Sequence, residues 1–408
     1  MTTVFTPGTL DDYLNRICEA IQLTETQYNT AVKRYRRVGE WLTGKETPLE
    51  RLSPEIFPQG SMLQKTTIRP TRLGEDLVPF DIDTVCRCKI DPHAKTSQSL
   101  YGSVQSRLQD NADFKQRMEA ARKVFGTSGK CIRLGYTDDD FYLDVVPACV
   151  DPTDREGIRI LMCEPGKWGN ASKPIETWRR TDPFRFAVWF QDRCATVGRA
   201  FGKRVLSSVA PVPPQEDVDE KAPLRRIVQL LKRQRDVDFI GDTCRPTSIM
   251  LTTLAGRNYR GEDSIADGLD TVLAGIDVQI ATARPGRITV PNPADEMAPH
   301  EGGVEDLAKS LDAAAYAKFC AMIAKMRKML AEARAARGVP QLFPILKTAL
   351  GEAVVKRAFN AAEDAVQKAS ATGLLGASVG ASGIKVLSEP KVTSGVQPVR
   401  GSNFHAEN

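Results

Sequence analysis

The sequence predicts an α+β fold, with a mixed β-sheet core in the first half and a helical lobe in the second. Three observations carry this. Residues 80–90 read as a strand, with Asp81, Asp83 and Val85 on one side and Ile82, Thr84 and Cys86 on the other. Residues 131–136 and 141–146 read as two more strands, joined by Thr137-Asp138-Asp139-Asp140 as a hairpin turn. After Trp168 the apolar pattern becomes helical and stays so to residue 371.

Taken in order, residues 10–23 and 24–42 read as helices. Thr24-Glu25-Thr26-Gln27 has the form of a capping box, in which the threonine hydroxyl and glutamine amide satisfy each other's backbone N–H. Tyr28, Ala31, Val32, Tyr35, Val38 and Leu42 recur at helical spacing, so this helix is expected to act as a spine for the sheet. Further helices are expected over 97–109 and 113–124. In the second half they are expected over 184–202, 222–235, 247–256, 263–274, 304–337 and 341–371, with a Pro-rich break at 210–214 and a loop-rich insert near 283–303. From Thr372 the chain is rich in Gly, Ser, Ala and Val without period, and reads as a largely unstructured tail. The expected division is 1–205 for the core with its spine helix, 206–371 for the helical lobe and 372–408 for a flexible tail.

Composition narrows the chemistry. The chain has 408 residues, 41% hydrophobic and 26% charged, and no apolar run long enough for a membrane span. Its first residues lack the basic and apolar regions of a secretory signal, so a cytoplasmic location is expected. Nine cysteines without a Cys-x-x-Cys pair suit a reducing compartment, and Cys86 and Cys88 read as small hydrophobes on a strand. The three histidines are dispersed, which excludes a His-rich zinc site and leaves oxygen ligands for any metal, favouring magnesium or manganese. A net charge of +5 suits anionic nucleotides and does not require long nucleic acid.

The chemistry concentrates between Phe57 and Cys88, with one further carboxylate downstream. Asp81 and Asp83 share a strand face, about 6.6–7 Å apart along the chain, a spacing that lets both reach cations roughly 3.5–4 Å apart in a two-metal site. Asp144, in Leu143-Asp144-Val145-Val146-Pro147, would join them if its strand lay alongside. Gly60 and Ser61 precede this pair: glycine allows close backbone approach to phosphate oxygens, and the serine hydroxyl donates to them. A Gly-Ser turn or an Asp-x-Asp alone is an ordinary feature; the ordered set is not.

Gln59-Gly60-Ser61, Thr66-Thr67-Ile68-Arg69-Pro70, Asp81-x-Asp83 and Leu143-Asp144-Val145-Val146-Pro147 together resemble the bacterial cyclic oligonucleotide synthases, the CD-NTases, over roughly residues 10–370. The resemblance implies a polymerase-β-like nucleotidyltransferase core with a C-terminal helical lobe. It also implies two magnesium ions (or manganese) on Asp81, Asp83 and Asp144, and ATP and other ribonucleoside triphosphates as substrates. The product would be a cyclic di- or trinucleotide acting in anti-phage (CBASS) defence. By the same resemblance Gln59, Gly60, Ser61 and Arg69 would line the nucleotide site, Lys232 would reach the donor phosphates, and Thr247 and Ser248 would approach the donor nucleotide where relatives carry an aromatic residue. Accessory proteins would engage the tail, although its ending, Ala406-Glu407-Asn408, lacks the terminal glycine or alanine expected.

Each assignment has a plainer counterpart. Lys232 lies among Arg225, Arg226, Arg233 and Arg235, as on a solvated basic helix face; Thr247 follows Pro246 as a helix N-cap would; Arg69 sits in a loop before Pro70. Gly198-Arg199-Ala200-Phe201-Gly202-Lys203-Arg204 has the wrong spacing for a phosphate loop, and the glycines at 373, 376, 380 and 383 follow no expected strand. Asp138, Asp139 and Asp140 read as a turn, and Met322, Met326 and Met329 as core. Two other functions remain open from sequence: a synthase of a linear oligonucleotide, and a catalytically idle nucleotide-binding module.

Overall fold

A computed structural model describes residues 9–73, 76–126, 130–168, 172–194, 208–283, 287–371, 376–380 and 383–387. The chain opens with helix α1 (Leu10–Ile21), capped by a Thr9–Asp12 capping box, and α2 (Glu25–Leu42), capped by the box expected at Thr24 and Gln27. Strand β1 (Glu55–Gln59) leads into the short helix α3 (Gly60–Gln64). A small hairpin of β2 (Thr71–Leu73) and β3 (Asp76–Val78) precedes β4 (Phe80–Cys88). Helices α4 (Ser97–Gln109) and α5 (Ala112–Phe125) follow. Next come β5 (Ile132–Tyr136), β6 (Phe141–Val150), β7 (Ile160–Cys163) and β8 (Trp178–Thr181).

One mixed sheet results, in the order β1-β4-β6-β7-β8, with β5 paired along the first half of β6. β4 and β6 run parallel at its centre, and the other pairings are antiparallel. The back of the sheet buries Ile82, Cys86, Leu143 and Val145 against Tyr35 and Val38 of α2 and Leu100 and Val104 of α4. The expected spine therefore lies where the periodicity put it. Strands β7 and β8 are additions to the sequence reading: each has only four residues, too short for alternation to register.

The second core is helical. It comprises α6 (Pro183–Cys194), α7 (Pro223–Asp238), α8 (Ser248–Asn258), α9 (Ile265–Thr282), the short α10 (Pro293–Met297), α11 (Ala313–Ala335), α12 (Val339–Leu350) and α13 (Glu352–Ala371). Met322, Met326 and Met329 are buried in it. Several boundaries differ from expectation. The 341–371 segment is two helices, because Gly351 ends α12 at φ +91° and α13 restarts behind it. Residues 304–312 are not helical; Leu307 N–H bonds back to the Val290 carbonyl, and Asp312 caps α11 by accepting from Ala315 N–H at 2.8 Å. The 195–202 end of the expected 184–202 helix, and with it the Gly198–Arg204 motif, lies outside the described residues.

The division at residue 205 gives way to a more interleaved one. Leu14, Ile17 and Ile21 of α1 and Phe186 and Phe190 of α6 belong to the helical core, while Val212 packs in the sheet core and Val209 bridges Ile56. The chain thus starts in the helical lobe, crosses at Gln22 to build the sheet, and returns. Nor is the tail wholly irregular: β9 (Gly376–Gly380) and β10 (Gly383–Leu387) form an antiparallel ladder, in keeping with the β-branched residues of Ile384-Lys385-Val386. The remainder of the tail lies outside the described residues.

Candidate active site

The β4–β6 pairing decides the site. Asp83 pairs directly with Asp144 in the parallel register, and Asp81 lies two residues earlier on the same face of β4. Neighbouring strands run about 4.8 Å apart, so carboxylates from distant points of the sequence become immediate neighbours. On the other side of β4, Gln59 pairs with Asp83. The chain then turns at Gly60, whose φ of +61° carries the backbone over Asp83 so tightly that a Cβ there would lie 2.2 Å from Asp83 Oδ2. Ser61 follows, its hydroxyl accepting from Thr67 Oγ1 at 3.0 Å.

The loop behind this turn is held from the helical lobe. Every residue of α7 from Leu224 to Asp236 is buried, so the basic run is not a solvated face. Its polar side chains donate to loop carbonyls that have no strand partner: Arg225 to Gln64, Gln229 to Thr67, Lys232 to Thr66 at 2.9 Å and Arg233 to Arg69 at 3.0 Å. Buried carbonyls need donors, and a long cationic stem can supply one across the gap between lobes.

A cleft of about 320 Å³ lies between the lobes. Gln59, Gly60, Ser61, Asp81 and Asp83 line its sheet side; Lys232, Arg235, Arg245, Thr247 and Ser248 line the other. Thr247 is also the N-cap of α8, accepting from Met250 N–H at 3.3 Å, and Ser248 Oγ accepts from Arg235 at 3.0 Å. Thr247 is thus a helix N-cap that also lines the cleft. Arg69 does not line the cleft. Its Nε donates to the Gln22 carbonyl at 2.8 Å and its N–H to the Ile21 carbonyl, so its work is to fasten the loop to the end of α1, and the phosphate assignment is withdrawn.

Asp144 is a special case. It faces the same side as Asp83 yet does not line the cleft, because Arg133, opposite it on β5, takes both of its oxygens at 2.7 and 2.6 Å. Consequently no three His, Cys, Asp or Glu side chains among the described residues form a ready metal cage. Arg133, Arg235 and Arg245 were missed by sequence reasoning. Arg133 did carry a signal: the four-residue turn between Tyr136 and Phe141 fixes the hairpin register that pairs it with Asp144. Arg245 carried none.

Electrostatics set the character of the floor. Burial, with the nearby charges of Asp144 and Asp81, pushes the Asp83 carboxyl up to about 7. Burial and Asp144 also raise Asp81. Lys232 is brought down to about 7, chiefly by burial and then by Arg235. Burial works against the charge on Arg133, but its hydrogen bond to Asp144 and the field of Asp144 and Asp81 outweigh this and raise it. The carboxylates thus repel one another, and a divalent cation would relieve that repulsion. An all-oxygen donor set suits magnesium or manganese.

Comparison with known proteins agrees with this geometry. Residues 9–193 match the Second Messenger Oligonucleotide or Dinucleotide Synthetase domain. The chain is 27% identical over 376 residues to the c-di-GMP synthase of Roseivirga ehrenbergii, covering 90% of each. It is 27% identical over 300 residues to the cyclic dinucleotide synthase CdnG of Bradyrhizobium diazoefficiens, covering 70% of this chain and 67% of that one. The structure of Bradyrhizobium diazoefficiens CdnG in complex with GTP shares the fold, with a TM-score of 0.62 at 23% identity, covering 87% of this chain and 99% of that one. The domain match spans the sheet and its three strand carboxylates, and the relatives match along most of the chain's length, so the chain resembles the bacterial CD-NTases in sequence and shares their fold.

Proposed function

We propose that this protein joins ribonucleoside triphosphates, GTP among them, into a cyclic dinucleotide, releasing pyrophosphate. The observation that carries this is the register of Asp83 against Asp144 beside Asp81, at the foot of a cleft roofed by Lys232. Asp81, Asp83 and Asp144 would hold two magnesium ions, or manganese in their place. When bound, the ions would neutralise the donor triphosphate and lower the pKa of the acceptor hydroxyl.

The chain's own groups do the rest. Gly60 brings backbone close to the phosphates, and Ser61 offers a hydroxyl. Lys232 exchanges the Thr66 carbonyl for a phosphate oxygen, and that negative neighbour keeps it protonated. The acceptor hydroxyl forms a bond to the α-phosphorus as the bond to the β-phosphate breaks, and Asp144, once free of Arg133, would receive the hydroxyl proton. A second transfer closes the ring. Positioning and charge neutralisation supply most of the acceleration.

The activity is read as cytoplasmic signalling in anti-phage defence, with CBASS accessory proteins engaging the C-terminal tail. No helix among the described residues is long and apolar enough to cross a membrane. The test is incubation with the four labelled ribonucleoside triphosphates and magnesium, followed by phosphatase and mass spectrometry. A phosphatase-resistant ring, absent in the Asp81→Asn/Asp83→Asn double variant, is expected. A phosphatase-sensitive product would mean a linear synthase, and conversion by the double variant would refute the mechanism.

A further inference from the structure

We infer that Arg133 is a built-in counter-ion that competes with the divalent cation for Asp144 and must release it for the site to load. This rests on the metal-dependent reading above. Both Asp144 oxygens are engaged by the guanidinium fork, Nε to Oδ1 at 2.7 Å and Nη2 to Oδ2 at 2.6 Å. The same Nη2 lies 3.9 Å from Asp81 Oδ1, so one cation spans two of the three carboxylates. The Asp144 side chain is only 8% exposed, and without a cation beside it the carboxylate would be stranded away from water. The guanidinium also lies over the Tyr142 ring, 5.3 Å from its centre, which steadies the fork in this pose.

A divalent ion on Asp144 would sit within a few ångströms of this guanidinium. Two cations at that separation repel, and a planar fork that occupies both oxygens leaves poor lone-pair directions for an ion. Arg133 therefore gives Asp144 a weaker ion site than the Asp81–Asp83 pair, and orders loading: the first ion settles on β4, and the second arrives once Arg133 is displaced. The arrangement keeps the carboxylate aligned on β6 while withholding it from the ion, so Arg133 is a positioning residue and an inhibitory one at once.

The experiment is a manganese titration of the full chain, reading free ion by electron paramagnetic resonance. Arg133→Gln is expected to bind its weaker ion about tenfold tighter than wild type, the equivalent of about 1.4 kcal/mol, with Arg133→Lys intermediate. A purely structural Arg133 predicts lost thermal stability with no gain in affinity; unchanged or weaker manganese binding in Arg133→Gln overturns the inference. Should that variant fail to fold, the wild-type Arg133 Nε–H signal in nuclear magnetic resonance, identified by its absence in Arg133→Lys, decides. It is expected to move when magnesium is added, and a stationary signal overturns the inference. Asp81→Asn/Asp83→Asn separates the two readings. If that double variant binds manganese as wild type does, the metal site itself is wrong, and this inference falls with it.

Discussion

Gly60→Ala tests the geometry of the site most directly. The substitution does two things. It places a side chain at φ +61°, which costs an L-residue roughly 1–2 kcal/mol. It also sets a methyl group 2.2 Å from Asp83 Oδ2 and 3.1 Å from its Cγ, distances that real contacts do not tolerate. Asp83 must then move by about 1 Å, and misplacement on that scale costs on the order of 100-fold in rate. Gly157 supplies the control: its φ is +64°, but nothing lies within 4 Å of the added methyl, so Gly157→Ala imposes the backbone strain alone. Single-turnover synthesis with saturating magnesium and GTP is the assay, alongside denaturant melts. Both variants should lose a similar, small amount of stability, while only Gly60→Ala loses about 100-fold in rate. Equal activity in the two variants would refute the claim that Gly60 sets the position of Asp83.

Two further outcomes concern the same site, and a third concerns the ion cluster around Arg185. Because Asp83 holds its proton up to about pH 7, an ion must displace that proton below pH 7 and not above it. Apparent metal affinity should fall with decreasing pH, approaching about tenfold per unit below 7, and Lys232, which gains charge over the same range, acts in the same direction. Calorimetry in buffers of different ionisation enthalpy should find about one proton released at pH 6 and almost none at pH 8; no release at pH 6 would contradict the assignment. Lys232→Met should lower kcat/KM for the triphosphate by roughly 10- to 100-fold, the worth of one charge-assisted hydrogen bond, with an unchanged circular dichroism spectrum; a loss under threefold would remove Lys232 from the phosphate site. Arg185 joins Asp154 at 3.1 Å, Glu156 at 2.9 Å and the buried Asp182, so Arg185→Met should destabilise by about 3 kcal/mol. Denaturant midpoints check this, and a change below about 1 kcal/mol would mean that backbone N–H groups alone satisfy these acids.

The parts legible in the sequence were those written in local pattern. Alternation across Asp81-Ile82-Asp83-Thr84-Val85 gave β4, the hairpin turn at 137–140 gave β5 and β6, and the capping box at Thr24 gave the start of α2. Local pattern failed where one residue overrides period, as Gly351 does between α12 and α13, or where strands are as short as β7 and β8. It misled at α7. A run of Arg and Lys reads as solvated because burying charge is costly, yet here the cost is offset by carbonyls of a loop some 160 positions earlier. Arg69 erred the other way: beside the phosphate motif in sequence, it is turned toward the end of α1 by hydrogen bonds that no spacing rule foretells.

By itself the sequence determined which groups exist to do chemistry and on what elements they sit: two aspartates on one strand face, a third on another strand, and a glycine where backbone must pass close. Hydrogen-bond register and side-chain direction follow short-range rules, so these are readable from neighbours along the chain. The tertiary structure alone decided that β4 and β6 run parallel with Asp83 against Asp144, and that α1 belongs to the far lobe. It likewise decided that α7 bolts the loop after Gly60 from across the cleft. Those facts depend on which apolar surfaces find each other in three dimensions, and burial is indifferent to distance along the sequence.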